Sequence, residues 1–483
     1  MSAQNPMIKN PSRRRFMTGA AGLTFGVAVA SPGLQELVVG AAEAATGSSK
    51  INNWVTVFTD GTVVIQSPAA EMGQGSLTSL PLIVAEEMDA DWSKVRIVAA
   101  PPNNQIYGNP AFRYLQYTAG SATVTGYFTN LRQFGAQVRY VLLDNAAQRW
   151  GVPLTEVVSG PGYAEHTKSG RRLSYGEIAA FAKVPAQAPE VQLDALDKAH
   201  FRLIGKDVPR VDVAGKTNGS AQYSIDVQVP GMVYGAILRE PVDRAQPVQI
   251  DDREARAVAG VLQIVPLQYG VGVIAESPWA AFKAKQALKV TWSSEAHGWK
   301  HSSGSGFEAF TKIARDDSKK GVAWETVGQA VPELGKAQNV IEGEYRADYA
   351  YHAQMEPLNS VASVSKDGCE IWCGTQSQTI AVDAVAAALG LSADKIKFNG
   401  MLLGGGFGRR GNRDLEFMVD SALLSKAVGK PVKVLWTRED DVKNGRFRPQ
   451  YVNRIRAAVD DKGKIVAWHH RVVSDEALAY MDP

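Results

Sequence analysis

A run of eight residues, Gly404 to Gly411, constrains the fold of this chain more than any other segment. It reads Gly-Gly-Gly-Phe-Gly-Arg-Arg-Gly, and its five glycines permit positive φ angles and leave backbone N–H groups open to a ligand. The two arginines favour an anionic ligand. An apolar segment, 396–403, precedes the run, and a helical pattern follows it and ends at Gly429 and Pro431. A strand, a glycine loop and a helix N-terminus are therefore predicted, and such an arrangement binds anions.

The size and charge of the chain set its broad class. With 483 residues it is long enough for several domains and a large hydrophobic core. Lys plus Arg number 52 and Asp plus Glu number 49, which leaves a formal net charge of +3. This balance gives no overall electrostatic field for nucleic acid or for an anionic membrane, so no nucleic-acid partner is expected.

The N-terminus carries the pattern of an export signal. Residues 12–18 read Ser-Arg-Arg-Arg-Phe-Met-Thr, and a weakly apolar run rich in Gly and Ala continues to Ala30. Ala42-Glu43-Ala44 then resembles a processing site. Pro32 and several glycines make the apolar run a poor membrane-spanning helix. Residues 1–44 are therefore predicted to be a twin-arginine signal, which places the protein in the periplasm.

The two cysteines, Cys369 and Cys373, lie in one predicted strand. At about 3.3 Å per residue their Cα atoms would be about 13 Å apart on the same face, too far for a disulfide. Two thiols are also too few for an iron–sulfur cluster, which takes four ligands. Both cysteines are predicted to be packed core thiols, and any electron-transfer centre lies on another chain.

A dinucleotide-binding Rossmann fold is an alternative interpretation of the glycine run. Residues 406–411 match Gly-x-Gly-x-x-Gly between a predicted strand and helix, and Glu439 follows the next predicted strand. Glu439 comes later than the ~20 residues expected after that fingerprint. Beyond it, segments 452–459 and 464–473 indicate a hairpin rather than another βαβ unit, which weighs against this alternative.

The remaining pattern divides the chain into segments. Asp60-Gly61 between two apolar runs predicts a β-hairpin, and helices are predicted over 77–88, from 118 to about 150 and over 380–389. Residues 183–200 and 293–325 are predicted to be connections. The predicted units are an N-terminal segment 45–200, a second unit 201–295 and a third unit 325–483.

Four separate motifs resemble the molybdenum-binding large subunits of the xanthine dehydrogenase/aldehyde oxidase family. The likeness is to the isoquinoline 1-oxidoreductase β-subunit type, in which the order of segments is rearranged. It implies an α+β fold with a hammerhead domain at 201–295 and molybdopterin-binding α/β lobes at 45–200 and 325–483. The motifs are Glu71-Met72-Gly73-Gln74-Gly75, Thr118-Ala119-Gly120-Ser121, the pair 205–212 and 223–226, and Gly404 to Gly408 preceded by Thr375-Gln376-Ser377-Gln378.

The resemblance implies a molybdenum hydroxylase or dehydrogenase. Such an enzyme oxidises an N-heteroaromatic compound or an aldehyde as its small-molecule substrate, and takes the added oxygen from water. The implied cofactor is molybdenum molybdopterin, in its cytosine dinucleotide form. Electrons would pass to a separate [2Fe–2S] small subunit and then to a c-type cytochrome.

The resemblance also implies which residues hold the cofactor. Protein groups hold the pterin and its pyrophosphate rather than the metal, so no metal ligand is assigned. Gln74 would donate hydrogen bonds near the cofactor, while Gly73 and Gly75 would supply space and backbone N–H groups. Gly120 and Ser121 would bind anionic oxygen at a helix N-terminus. The remaining residues would line the active centre, with Arg409 on phosphate or pterin: Gly405, Gly406, Phe407, Gly408 and Arg409.

The family's further lobe, with its catalytic glutamate, is not found before Pro483. No catalytic residue is therefore assigned. We expect either a truncated first lobe at 325–483 or a partner chain that supplies the missing lobe. Two functions follow: a large or partial large subunit that works with partner chains, and a non-catalytic half that only binds the cofactor.

Overall fold

The computed structural model describes residues 53–193 and 200–475, together with the backbone of 22–26. Helices and strands alternate along the chain, which confirms the predicted α+β class. The strands are β1 (Gly22–Gly26), β2 (Asn53–Phe58), β3 (Val63–Ser67), β4 (Val95–Ala99), β5 (Val157–Gly160), β6 (Tyr163–His166), β7 (Arg172–Ser174), β8 (Val233–Arg239), β9 (Pro247–Asp251), β10 (Val261–Leu267), β11 (Gly270–Ala275), β12 (Lys289–Trp292), β13 (Val340–Ala347), β14 (Asn359–Ser365), β15 (Gly368–Cys373), β16 (Ile396–Gly400), β17 (Val432–Leu435), β18 (Tyr451–Val459) and β19 (Ile465–Ser474).

The helices vary from single turns to a helix of 28 residues. They are α1 (Ser76–Glu87), α2 (Asn104–Tyr107), α3 (Thr123–Trp150), α4 (Tyr175–Ala179), α5 (Val213–Asn218), α6 (Arg253–Arg256), α7 (Pro278–Ala287), α8 (Ser303–Arg315), α9 (Ala330–Lys336), α10 (Gln378–Leu389), α11 (Glu416–Val428) and α12 (Arg438–Lys443).

The chain forms two compact units, each made of two chain segments. The first unit contains Met1–Val227 and Glu370–Gly406, and the second contains Gln228–Cys369 and Phe407–Pro483. This division differs from the predicted boundaries, because residues 201–227 pack with the first unit. Tyr223 pairs with Leu402 in a parallel bridge, and the N–H of Val211 donates to Thr78 Oγ1 at 3.1 Å.

The first unit is built on the sheet β1-β2-β3-β4. Strands β2 and β3 pair antiparallel around Gly61, whose φ is 84°, which confirms the predicted hairpin. Strand β4 returns parallel to β3 after α1. Helices α1 and α3 pack together over a continuous hydrophobic core that includes Leu80, Val84, Leu131 and Phe134.

The second chain segment of the first unit adds strand β16 beside the end of β15, with α10 between them in sequence. Odd-numbered residues of β15 are buried and even-numbered ones are half-buried. Cys369 and Cys373 therefore lie on the buried face, and the prediction of packed core thiols is confirmed.

The second unit contains five strands in the order β10-β11-β8-β17-β14. Only the β8–β17 pair is parallel among these five described strands. Helix α11 packs on β14 and β17, and helix α7 packs on β8. The α11 bounds match the helical pattern that follows the glycine run, and Gly429 ends the helix with a φ of 67°.

A separate three-stranded antiparallel sheet, β13-β18-β19, belongs to the same unit. Helices α8 and α9 cover one of its faces. The prediction that 293–325 is a connection is wrong, because it contains α8. A capping box between Ser302 and Ser305 starts this helix, and Phe307, Phe310 and Ala314 follow at helical spacing.

The predicted export signal, 1–44, lies outside the described residues except for the backbone of β1, which pairs antiparallel with β2. Within the described parts of the chain, every helix is too short or too polar to span a bilayer.

Candidate cofactor-binding site

The loop before α1 is closed around the carboxylate of Glu71. Its Oε1 accepts from the N–H groups of Gly73 at 2.7 Å and Gly75 at 3.2 Å, and its Oε2 accepts from Leu77 N–H at 3.0 Å. Gly73 and Gly75 have φ angles of 113° and 91°, which only glycine adopts without strain. The N-terminus of α1 therefore binds an anion that belongs to the chain itself.

The side-chain amide of Gln74 also closes this loop. Its Nε2 donates to the carbonyl of Ala70 at 2.8 Å and to Ser76 Oγ at 2.7 Å, and its Oε1 accepts from Met72 N–H at 2.8 Å. Gln74 is exposed at the protein surface. To contact the cofactor, Gln74 would have to replace these hydrogen bonds within the loop by hydrogen bonds to the cofactor. The predicted contact therefore stays a prediction.

The predicted role of Gly73 and Gly75 needs a correction. Their N–H groups were expected to bind the cofactor, but both donate to Glu71. The physical reason is that a buried carboxylate needs donors, and the glycine loop supplies them. Gly73 still supplies space, because an added Cβ would meet no atom within 4 Å.

A second carboxylate and two cations lie behind Glu71. Arg210 Nη2 and Lys216 Nζ lie 3.4 Å and 3.5 Å from Glu71 Oε1, and each lies 2.6 Å from Asp212 Oδ2. Burial raises the pKa of Asp212, but hydrogen bonds from Arg210 and Lys216 outweigh it and lower that pKa to about 2. Glu71 and Asp212 are buried, whereas Arg210 and Lys216 are partly exposed, and the four charges of this cluster balance.

The loop before α3 is open. Gly120 and Ser121 have φ angles of 58° and 55°, and both are exposed. Ala122 occupies the N-cap position, and no side-chain cap hydrogen bond forms there. The first N–H groups of this long helix therefore point to a place where an anionic ligand can accept from them. This geometry fits the predicted role of Gly120 and Ser121.

Hydrogen bonds through Thr118 and Gln376 join three of the predicted loops within the first unit. Thr118 Oγ1 accepts from the N–H of Ala70 at 3.1 Å. Thr118 N–H donates to the carbonyl of Gln376 at 2.8 Å, and Gln376 Nε2 donates to the carbonyl of Thr118 at 2.9 Å. These hydrogen bonds hold the loop before α1, the loop before α3 and the segment before α10 in one place.

Gly405 and Gly406 complete this group of loops. Gly405 has a φ of 95°. A Cβ on Gly406 would lie 2.6 Å from Gln376 Oε1 and 2.8 Å from Met72 Sδ, so a larger residue there would require these two side chains to move. Four of the predicted segments therefore meet in the first unit: Gly73 to Gly75, Gly120 to Ser121, Gly405 to Gly406, and Thr375 to Gln378.

Phe407, Gly408 and Arg409 belong to the second unit. Phe407 is 68% exposed and has a φ of 54°, a strained conformation for a side chain of its size. The predicted helix after the glycine loop is present, but it does not begin at the loop itself. A short 3₁₀ turn spans Arg409–Gly411, and α11 begins only at Glu416.

Arg409 has a different environment from the one predicted. Its guanidinium is fully buried, pairs with Glu416 and lies 5.5 Å from the centre of the Trp436 ring. Burial raises the pKa of Glu416, but the Arg409 charge and other nearby cations lower it to about 2. This arrangement disfavours a direct contact of Arg409 with phosphate or pterin, since its charge is already compensated inside the unit.

Sequence reasoning missed the two residues that join the loops, Thr118 and Gln376. Both lie in the family motifs, but neither residue type carries a distinctive signal for a bracing role. Glu71 lies in a family motif too, although its role as the group that accepts from the glycine loop was not predicted. An acidic residue two positions before a Gly-x-Gly loop that opens a helix was the available signal. Among the described residues, no group of three His, Cys, Asp or Glu side chains is arranged to hold a metal ion.

Two sequence profiles of one domain family match the chain. Both are described as molybdopterin cofactor-binding domain, and they cover residues 10–228 and 279–482. Together they include all four of the loops described above. The chain therefore belongs to the molybdopterin-binding large subunits of the xanthine dehydrogenase family.

Three relatives illustrate the range of this family. The chain is 36% identical to the beta subunit of isoquinoline 1-oxidoreductase from Brevundimonas diminuta, over 98% of this chain and 65% of that one. It is 33% identical to a membrane-bound aldehyde dehydrogenase (pyrroloquinoline-quinone) of Gluconacetobacter polyoxogenes, over 96% and 60%. It is 28% identical to a nicotinate dehydrogenase subunit of Pseudomonas putida, over 80% and 32%. The chain thus spans less than two thirds of the length of these relatives.

Among solved structures, quinoline 2-oxidoreductase from Pseudomonas putida 86 matches with a TM-score of 0.44 and 21% identity, over 54% of this chain and 38% of that one. A likeness at this level carries no argument about the fold or the activity.

Proposed function

We propose that this chain is the molybdopterin-binding part of a molybdenum-dependent oxidoreductase. Its substrate would be an N-heteroaromatic compound or an aldehyde, with water as the source of oxygen. Membership of the family supports the cofactor class. The names of relatives with heteroaromatic and aldehyde substrates support the substrate class.

The residues of the first unit fit such a cofactor. Gly120 and Ser121, at the open N-terminus of α3, would hold an anionic oxygen of the pterin or its pyrophosphate. Gly405, with a φ of 95°, gives the adjoining loop a conformation that glycine adopts without strain. When bound, the molybdenum centre supplies the two-electron oxidation. The chain's own residues bind and orient the pterin and hold the surrounding loops in position.

The observation that carries this proposal is the pair of hydrogen bonds between Thr118 and Gln376. A cofactor that contacts several loops binds tightly only if those loops are already in place. The test is expression with the molybdenum cofactor supplied, followed by metal analysis and release of the nucleotide by acid. We expect about one molybdenum per chain together with cytosine nucleotide. Release of another nucleotide would contradict the cytosine dinucleotide form of the cofactor but not the binding of molybdopterin.

A substitution links that measurement to the loops. Thr118→Val keeps the shape of the side chain but removes the acceptor of Ala70 N–H. We expect it to lower the molybdenum content several-fold. Thr311→Val is the matched control, because the Thr311 hydroxyl has no hydrogen-bond partner in the described structure. Absence of molybdenum from the unsubstituted chain would overturn the proposal, whereas metal without dye-linked turnover would favour the non-catalytic half.

We further propose that electrons leave through a [2Fe–2S] small subunit and a c-type cytochrome, and that a second chain can supply the lobe with the catalytic glutamate. Co-purification of an iron–sulfur chain with the tagged protein would test the first partner. Restoration of turnover by the added lobe would test the second.

The proposed location is the periplasm, after export by the twin-arginine pathway. The support is the motif at residues 12–18. Replacement of Arg13 and Arg14 by lysine should retain the chain in the cytoplasm, as measured by cell fractionation. Unchanged export of that variant would contradict this proposal.

A further inference from the structure

The sheet β13-β18-β19 of the second unit carries its charged residues on the face that the helices cover. Successive residues of a strand point to opposite faces, and the antiparallel register shows which residues of neighbouring strands share a face. Arg315 of α8 pairs with Glu344 at 2.9 Å, and Asp317 lies 3.1 Å from Arg454, so these charges lie on the helix side. Every Asp, Glu, Lys and Arg of the three strands shares that face: Glu342, Glu344, Arg346, Arg454, Arg456 and Arg471.

The opposite face of this sheet, the uncovered face, contains no Asp, Glu, Lys or Arg from the three strands. Ile341 and Tyr345 of β13 are each 62% exposed on it, and Trp468 and Val472 of β19 are 49% and 56% exposed. An antiparallel sheet with one solvated face normally places its polar residues there and its apolar residues against the helices. Because the pattern is reversed here, the uncovered face has the composition of an interface with another macromolecule.

The segment 320–329, between α8 and α9, adds protruding apolar side chains to the same unit. Trp324 is 99% exposed, Val322 is 97% exposed and Val327 is 83% exposed. Both ends of the segment are held beside β19, the edge strand of the sheet. Arg471 donates to the carbonyl of Asp316 at 2.9 Å and to that of Lys319, and α9 packs on β19. Two groups of exposed apolar residues therefore lie near the same edge strand.

We propose that the uncovered face and the segment 320–329 bind the second chain that supplies the further lobe, through an apolar and uncharged surface of that chain. This inference rests on the proposed function, which assigns the lobe to a partner. The relatives support this occupant, because the alignment with the Brevundimonas diminuta subunit covers 98% of this chain but only 65% of that subunit. An anionic membrane is disfavoured, since the uncovered face has no Lys or Arg to attract it.

The test is co-expression of the full chain, with an affinity tag, and the part of the Brevundimonas diminuta subunit that lies outside the aligned region. We expect the two polypeptides to co-purify in equal amounts. Trp468→Lys and Trp324→Lys each place a charge on the proposed surface and remove a large apolar side chain. Each should lower the recovered amount of the partner about tenfold, because buried tryptophans contribute strongly to binding at interfaces.

Trp279→Lys is the matched control, because Trp279 lies on α7 of the same unit, outside this sheet, and is 75% exposed. It should leave the recovery of the partner unchanged, and circular dichroism would show that each variant is folded. No co-purification with the unsubstituted chain, or undiminished recovery with either Trp468→Lys or Trp324→Lys, would overturn the proposal. A dimer of the chain alone that Trp468→Lys disrupts, measured by sedimentation velocity, would also overturn it, by assigning the face to a second copy. The molybdenum content of the unsubstituted chain tests the proposed function separately, so co-purification without metal would overturn the cofactor and not this surface.

Discussion

Helices α1 and α3 both begin after a glycine loop in the first unit, but their N-termini differ in what accepts from the backbone N–H groups. Before α1, the Glu71 carboxylate accepts from Gly73, Gly75 and Leu77. Before α3, Gly120 and Ser121 lead to Ala122, which has no side chain to act as a cap. One helix N-terminus is closed by the protein and the other is open.

The difference assigns separate roles to two motifs that look alike in sequence. A closed N-terminus stabilises the fold and fixes the loop, because its donors are satisfied before any ligand arrives. An open one leaves donors unsatisfied in the protein and gives a ligand the full gain of those hydrogen bonds. Within the described structure, direct binding of an anionic cofactor by a helix N-terminus is therefore expected at α3.

The largest expected effect comes from opening the closed terminus. Glu71→Leu removes the acceptor of three N–H groups and leaves Arg210 and Lys216 with Asp212 alone. Removing one partner from a buried, charged network costs about 3–5 kcal/mol. We expect the free energy of unfolding to fall by about this amount in urea denaturation.

The control for this experiment is a half-buried glutamate whose partner arginine is exposed. Glu165→Gln breaks a surface pair with Arg172, and such pairs contribute about 0–1 kcal/mol. A loss for Glu71→Leu no larger than that for Glu165→Gln would show that the carboxylate does not close the loop.

The pH dependence of stability tests the same cluster. The folded pKa of Asp212, about 2, lies below its ordinary value of 3.8. Its pairing with Arg210 and Lys216 therefore stabilises the fold fully above pH 4, and this contribution is lost as the pH falls towards 2. After allowance for solvent screening we expect about 1–2 kcal/mol. The free energy of unfolding, measured by urea denaturation at pH 2, 3 and 4, should fall less steeply with decreasing pH in Asp212→Asn than in the unsubstituted chain. An equal dependence on pH in the two proteins would contradict the role given to Asp212.

Part of the fold and of the candidate site was predictable from the sequence. The hairpin at Gly61, the long helix α3 and strand β15 were predictable, because each depends on local periodicity and turn chemistry. The position of Gly120 and Ser121 before a helix was predictable, and their contact with a cofactor stays a prediction. The closure by Glu71 was not, since it depends on which donors a buried carboxylate finds after folding. The ion pair of Arg409 with Glu416 was missed for the same reason, because burial decides whether an arginine faces a ligand or the core.

A smaller effect is expected from closing the open terminus. Ala122→Asp places an acceptor at the N-cap of α3, and such caps stabilise proteins by about 1 kcal/mol. We therefore expect a higher free energy of unfolding together with a lower molybdenum content, because the new carboxylate occupies the place of the cofactor's anionic oxygen. Ala122→Ser is the matched variant, with a neutral cap and less repulsion of an anion. A gain in stability with unchanged molybdenum content would show that the N-terminus of α3 does not bind the cofactor.

The smallest expected effect is a difference in anion binding between the N-termini of α1 and α3 in the cofactor-free chain. Pyrophosphate should bind at α3, where the N–H groups are open, and not at α1, where Glu71 occupies them. At a concentration equal to its dissociation constant, a ligand stabilises the folded state by about 0.4 kcal/mol. We expect a rise in Tm of about 0.4 °C in differential scanning calorimetry for a chain of this size. Ala122→Asp should remove that rise, because its carboxylate repels the anion and accepts the same donors. Sulfate at equal ionic strength controls for screening by salt, and a rise that persists in Ala122→Asp would place the anion elsewhere.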